Sequence, residues 1–293
     1  MKKLITALIQ KCSTDLPSDA EEALRRAYAL EEPGTPAYQC FAAICENIVL
    51  ARENEVPMCQ DTGVPLFDVS VPDGFSTAVL SSGIIDAVQE CTEDGVLRPN
   101  CVDTLTGRNT GTNTGLHMPF IKTYVWGRDY IRIRLLLKGG GSENVSGQYK
   151  LPFSDLQAER DLEGAAKTAV YHVLNAQGRG CAPGIIGVGI GGDREESFRT
   201  AKKQLFRDLG DENTVQELRD WENTVLADIN RLGIGPMGLG GMTTALAVKA
   251  GVADRHPACF FVTLSYLCWA ARRYEVFTDT DGHEIFPNGE SAE

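Results

Sequence analysis

Residues 120–138 read "FIKTYVWGRDYIRIRLLLK". Two runs rich in Ile, Tyr, Val and Trp flank Gly127-Arg128-Asp129, so the stretch is expected to form a β-hairpin. It decides the fold class because so much of the surrounding chain reads as helix. The first 54 residues are helical in pattern: "SDAEEALRRAYALEE" opens with Ser18 as N-cap and has acids in its first turn, and "AYQCFAAICENIVLAREN" resumes after the Pro33-Gly34-Thr35-Pro36 break. "VPLFDVSV" (64–71) is strand-like, "STAVLSSGIIDAVQECTEDG" (76–95) helical, and 98–118 a polar loop studded with glycine. Beyond the triple glycine of "KGGGSEN" (138–144), a long helix is expected over 154–178, a strand in "CAPGIIGVGIGG" (181–192) and two amphipathic helices over 193–210 and 214–233. A second glycine-rich loop follows in "GIGPMGLGGMTTA" (233–245), and "YEVFTDTDGHEIF" (274–286) suggests a last hairpin around Asp281-Gly282.

Interleaved helices and strands imply an α/β fold of mixed helices and sheets. No repeat, linker or internal boundary is visible, so residues 1–293 are expected to form a single domain with its core over about 35–275 and helices over 1–54. The closing "NGESAE" is expected to be loose. The start, "MKKLITALIQKCST", is broken by Gln10 and Lys11 and runs into a helical pattern, so it is expected to be a first helix and not an export signal. No apolar run is long enough to span a membrane.

The formal net charge is −12, which disfavours a nucleic-acid or anionic-membrane surface. An anionic substrate would need local Arg, Lys or backbone N–H groups. Nine cysteines without an export signal point to a reducing, cytoplasmic compartment. None forms a C-x-x-C, which disfavours zinc ribbons, thioredoxin motifs and ferredoxin runs.

Three cysteines stand in unusual settings. Cys59 lies in "PMCQDTG", a poor core segment and a good turn. The neighbouring Asp61 would weaken a thiol nucleophile, whereas a metal would deprotonate it outright. Cys181 precedes a buried strand in a glycine-flanked loop, and Cys268 sits in "LSYLCWAARR" among apolar residues. Cys12, Cys40, Cys45 and Cys91 fall within expected helices and read as packing residues. "GVGIGG" matches G-x-G-x-x-G, but Gly187 falls inside the apolar run and no acid-ended strand follows about 20 residues later, so a dinucleotide site is disfavoured. The glycines place a helix start near residue 193 that could attract an anion. Arg98 and Arg108, in the polar loop, could clamp a carboxylate. His256 in "DRHPAC" is either structural or functional.

Taken in order, "PMCQDTG", "LRPN", "NTGTN", "KGGGSEN", "CAPGIIGVGIGG", "LGIGPMGLGGMTTALAVK" and "HPAC…LCW" resemble the α half of the class I fumarase and L(+)-tartrate dehydratase family, over about residues 35–275. The resemblance implies a class I fumarase α-type catalytic domain and an oxygen-sensitive iron–sulfur hydro-lyase. It implies that Cys59, Cys181 and Cys268 bind one [4Fe–4S] cluster and leave one iron without a cysteine. It further implies that Gln60 and Asp61 contact substrate, that Arg98 binds a substrate carboxylate, that Gly140 or Gly141 offers backbone N–H groups, and that His256 lies close to the cluster. Asp61 would orient the substrate hydroxyl or assist proton transfer. Single-chain members carry a second domain, so a separate β subunit is expected to complete the active site as a hetero-oligomer on a small dicarboxylate.

The reaction implied is reversible hydration of fumarate to L-malate. L(+)-tartrate dehydratase remains the alternative, since "CWAARR" is closer to that branch and Arg255 and Gly115 replace the usual Thr and Pro. A non-catalytic iron–sulfur protein is the rival from another class; it usually has four protein ligands per cluster.

Overall fold

The computed structural model describes residues 1–286, and the expectation for "NGESAE" lies outside them. Three helices come first: α1 (Lys2–Thr14), α2 (Ser18–Leu30) and α3 (Pro36–Asn54). Then follow β1 (Val64–Pro72), α4 (Thr77–Glu93), β2 (Phe120–Trp126), β3 (Ile131–Lys138), α5 (Gly140–Asn144) and β4 (Gly147–Lys150). The rest comprises α6 (Leu162–Ala176), β5 (Gly184–Gly191), α7 (Arg194–Gln204), α8 (Gln216–Arg231), β6 (Ala245–Ala253), β7 (Phe261–Leu267), β8 (Arg273–Thr278) and β9 (Glu284–Ile285). No helix among the described residues is long and apolar enough to cross a membrane.

The chain forms two compact units, each built from separated segments. The first comprises Met1–Pro17, Ile48–Lys138 and, of the described residues, those from Arg272 to Phe286. Its sheet runs β2-β1-β3-β8-β9. Phe67, Val69 and Val71 of β1 and Ile131, Ile133, Leu135 and Leu137 of β3 form one face and bury against Ile5, Leu8 and Ile9 of α1 and Leu80, Ile84 and Val88 of α4. The period of two sends Asp68 and Arg134 to the other face, where they pair at 2.7 Å.

Residues 120–126 and 131–138 are both strands, but they are not a hairpin. β1 lies between them, parallel to β2 and antiparallel to β3. The reason is burial: β3 is buried along nearly its whole length, while β2 alternates between exposed and half-buried residues as an edge strand. The expected closing hairpin is present as β8–β9. Its turn is held by Asp279, whose carboxylate accepts from the Asp281 and His283 N–H groups at 3.0 and 2.8 Å.

The second unit comprises Ser18–Asn47 and Gly139–Ala271, with sheet order β4-β7-β5-β6. Ile186, Val188 and Ile190 of β5 face Ala165, Ala169 and Val173 of α6 and Val225 and Ile229 of α8. The opposite face of β5 is nearly bare. A Cβ on Gly187 or Gly189 would overlap the Ala201 or Ser197 carbonyl of α7. These glycines therefore let a helix lie directly on a strand; they are not a nucleotide loop. Asp193 caps α7, accepting from the Glu196 N–H at 2.8 Å, so its own carboxylate occupies the helix start that could attract an anion. The helix expected over 154–178 is shorter: a single turn at Ser154–Leu156 precedes α6, whose N-cap is Asp161. Helix α5 and strands β4, β6 and β7 have no counterpart in the sequence reading.

Two outcomes follow from this packing. Gly189→Ala is expected to lower stability by about 3 kcal/mol or more, read as a shift of the urea midpoint, because the added methyl has no space between strand and helix. His172, 5% exposed, accepts from or donates to the Tyr149 hydroxyl at 3.0 Å, and burial lowers its pKa from 6.5 to about 4. The unfolded chain thus takes up a proton on this ring below about pH 6.5 while the folded chain resists it until about pH 4. Stability should fall across that window by about 3 kcal/mol from this group alone. His172→Phe should flatten the fall; an unchanged pH slope would assign the loss to other groups.

Candidate functional site

The Cys59 turn starts where α3 stops. Glu55 takes a left-handed conformation at φ 53°, and the Met58 N–H donates to the Ser13 carbonyl at 3.1 Å. Met58 is buried, Cys59 and Asp61 half-buried, and Gln60 exposed. The Asp61 carboxylate accepts from the Gly63 N–H at 2.9 Å, a side-chain turn that folds the segment back on itself. Gly63, at φ +80°, enters β1 with no room for a side chain: a Cβ would lie 2.8 Å from the Lys138 carbonyl carbon. The buried Thr62 hydroxyl accepts from the Arg98 N–H at 3.0 Å, so Arg98, with an exposed side chain, is tied to the Cys59 turn in the same unit. A Cβ on Gly115 would lie 2.8 Å from the Cys101 sulfur, so the loop passes too close to that thiol for a side chain.

Cys181 and Cys268 belong to the second unit. After α6 a tight turn at Gln177–Gly180 ends on Cys181, exposed and left-handed at φ 58°. β5 then begins at Gly184, beside the C-terminal end of the antiparallel β7, where Ile185 pairs with Leu267. Cys268, 7% exposed, follows at once. The Trp269 N–H donates to the Cys181 carbonyl at 3.2 Å, which joins the two segments directly. Beneath them lies the fully buried Tyr266 ring. A Cβ on Gly180 would come within 2.6 Å of it, and one on Gly184 would overlap it. The Tyr266 hydroxyl is buried without a hydrogen-bond partner. Burial first, and then the Cys268 and Cys181 sulfurs, push its pKa upward. A neutral O–H donor is therefore buried beneath the turn that joins the two cysteine segments, an arrangement no sequence pattern revealed.

Gly140 and Gly141 are exposed at the start of α5, which packs on the turn leading into Cys181. The Gly141 α-carbon faces the Arg179 carbonyl, 3.6 Å from where a Cβ would stand. His256 is placed elsewhere. It follows β6, whose last residue Ala253 pairs with Gly191 at the far end of β5. Six residues of strand separate that end from Ile185, about 20 Å at ~3.3 Å per residue. Within one chain His256 is thus remote from Cys181 and Cys268. Its ring accepts from the Ala258 N–H at 3.1 Å. Arg255 shapes this loop: it donates to the carbonyls of His256, Pro257 and Cys259 at 3.4, 3.2 and 3.0 Å and covers the Phe260 ring. A cleft of about 580 Å³ opens at this end, lined in part by Asp161, Asp254, Arg255 and Phe260, with no cysteine among its lining residues.

The thiols and turns described above lie in segments that other proteins share. Residues 2–277 match the family model described as fumarate hydratase (fumerase). A provisionally named class I fumarate hydratase from Geobacillus stearothermophilus is 46% identical over 292 residues, covering 97% of this chain and 57% of that protein. A provisionally named L(+)-tartrate dehydratase subunit alpha from Methanocaldococcus jannaschii is 37% identical over 276 residues, 92% of this chain and 94% of the relative. The L(+)-tartrate dehydratase subunit alpha of Escherichia coli K12 is 30% identical over 278 residues, 94% and 89% of the two chains. The chain thus spans little more than half of the fumarate hydratase relative and nearly all of the alpha subunits. With nearly its whole length matched, this chain belongs to the fumarate hydratase family.

Proposed function

We propose that this chain is the cluster-bearing part of an iron–sulfur hydro-lyase that adds water to fumarate and removes it from L-malate. The observation that carries the reading is the backbone hydrogen bond that joins the Cys181 and Cys268 segments beside the buried, unpartnered Tyr266 hydroxyl, in a chain of this family. Soft thiolates suit an iron–sulfur group, and the Tyr266 O–H is a hydrogen-bond donor of the kind that tunes such sulfurs. Cys59 completes the ligand set in this reading, and its setting in a turn with an exposed neighbour suits a ligand better than a core residue.

When bound, the [4Fe–4S] cluster supplies a Lewis acid, the iron without a cysteine, which makes hydroxide a feasible leaving group. The chain's own residues do the rest. Arg98 grips one substrate carboxylate through paired N–H donors. The backbone N–H groups at Gly140 and Gly141 receive a carboxylate, and Gln60 and Asp61 hold the substrate hydroxyl. In dehydration the C2–O bond breaks and C3 loses a proton. The C3–H electron pair becomes the double bond, and hydroxide and proton leave as water. The base for the C3 proton belongs to a β polypeptide that completes the site. Support for that partner is the 57% coverage of the fumarate hydratase relative and the name alpha carried by the tartrate dehydratase relatives. No role is assigned to His256.

A second reading, L(+)-tartrate dehydratase, is favoured by the near end-to-end match to chains of that name. Anaerobic reconstitution with the neighbouring β chain, assayed on malate, fumarate and tartrate, separates the two. Turnover of malate and fumarate is expected; turnover of tartrate alone would establish the second reading.

Cys59→Ser, Cys181→Ser and Cys268→Ser should each lose most bound iron and sulfide and the visible iron–sulfur absorbance. Full retention of both by any one of them would remove that residue from the ligand set. The chain assayed without its partner should turn over at least about a hundredfold more slowly than the complex, since the reacting groups are then incomplete. Equal rates would show that no partner is needed.

A further inference from the structure

Two buried side chains hold the peptide of Arg98, and neither has a role in the reading above. Asn113 is fully buried in a left-handed conformation at φ 56°. Its side-chain carbonyl accepts from the Asn100 N–H at 2.8 Å, and its amide donates to the Arg98 carbonyl at 2.5 Å and to the Thr92 hydroxyl at 3.1 Å. Every strong hydrogen-bonding group of this amide is engaged. Thr62, also fully buried, accepts from the Arg98 N–H at 3.0 Å and from the Asn100 amide at 3.2 Å. The Asn100 amide also donates to the Gly63 carbonyl at 3.3 Å.

The Arg98 peptide is thus fixed at both its N–H and its C=O, by residues 36 and 15 positions away, while its side chain stays exposed. Arg108, in the same loop, is different. Its backbone bonds go to Thr106 and Asp103, two and five residues away, and all three residues are exposed. A loop needing only closure would be served by such local bonds. Thr62 is also the chain neighbour of Asp61, so one hydroxyl references Arg98 directly to the Gln60–Asp61 turn.

We infer that Thr62 and Asn113 are positioning residues that set the spacing between the Arg98 guanidinium and the Gln60–Asp61 turn, and hence the separation between the carboxylate and hydroxyl of an acceptable substrate. This rests on the reading of Arg98 as the carboxylate clamp. A bidentate clamp tolerates errors of only about 0.5 Å, so loosening its peptide acts on substrate binding before it acts on the cluster.

The test uses the cluster-loaded protein assembled with its β chain, with malate as the probe. Thr62→Val and Asn113→Asp, both near-isosteric, should raise KM about tenfold or more and change kcat less than about threefold, the signature of lost uniform binding. Iron and sulfide content should not change. Thr62→Ser, which keeps the acceptor, should restore KM to near the wild-type value. In an Arg98→Ala background Thr62→Val should add almost nothing, because the residue it positions is gone. Unchanged KM in both variants while Arg98→Ala raises it would overturn the inference. So would increases that multiply with that of Arg98→Ala, since they would mark general loosening. If Arg98→Ala itself leaves KM unchanged, the clamp reading fails first and takes the inference with it. Should Asn113→Asp fail to fold, the Thr62→Val and Thr62→Ser pair decides alone.

Discussion

Steric exclusion at glycine governs the thiol site. Gly184 and Gly180 have no space for a Cβ because the Tyr266 ring fills it. That close approach puts the turn ending at Cys181 directly over the end of β7, and the Trp269 N–H then reaches the Cys181 carbonyl. Any larger residue at either position would push the Cys181 turn off the ring and away from Cys268. The same device recurs along β5, where Gly187 and Gly189 admit α7 to the strand surface. A run of glycines that looks like a phosphate loop is a packing surface for one aromatic ring and one helix.

The Cys59 turn obeys a similar constraint with different chemistry. Gly63 passes against the Lys138 backbone, and the residues before it are held by hydrogen bonds instead of by packing. Asp61 folds onto the Gly63 N–H, and the Thr62 hydroxyl is committed to Arg98 and Asn100. This suits a site that binds a polar substrate: the turn is stiffened without apolar cover, so Gln60 remains exposed.

A chain of net charge −12 repels a dicarboxylate at long range. Screening over about 8 to 10 Å removes most of that penalty in salt, and recognition then depends on short-range donors. In the proposed reaction Arg98 and the backbone N–H groups at Gly140 and Gly141 would be donors of that kind. The one acidic side chain proposed to touch substrate, Asp61, already has one carboxylate oxygen engaged by the Gly63 N–H.

The sequence by itself determined the existence of the long helices and of most strands, the turn character of "PMCQDTG" and, through the ordered motifs, the family. These features are written in local periodicity, turn chemistry and residue order. It did not show β7, a strand buried along its whole length with no alternation to read, nor the short β4, nor β6. It joined β2 to β3 as a hairpin, because a short glycine turn is a local signal and insertion of β1 between them is not. The resemblance implied that His256 lies close to the cluster, and within one chain β7 separates it from Cys268 by the length of its sheet. Tertiary structure alone decided that Cys181 meets Cys268, that Tyr266 waits beneath them without a partner, and that Arg98 is held at both ends of its peptide. Each depends on contacts between residues far apart in sequence, made possible where a glycine leaves room or a buried amide finds its partners.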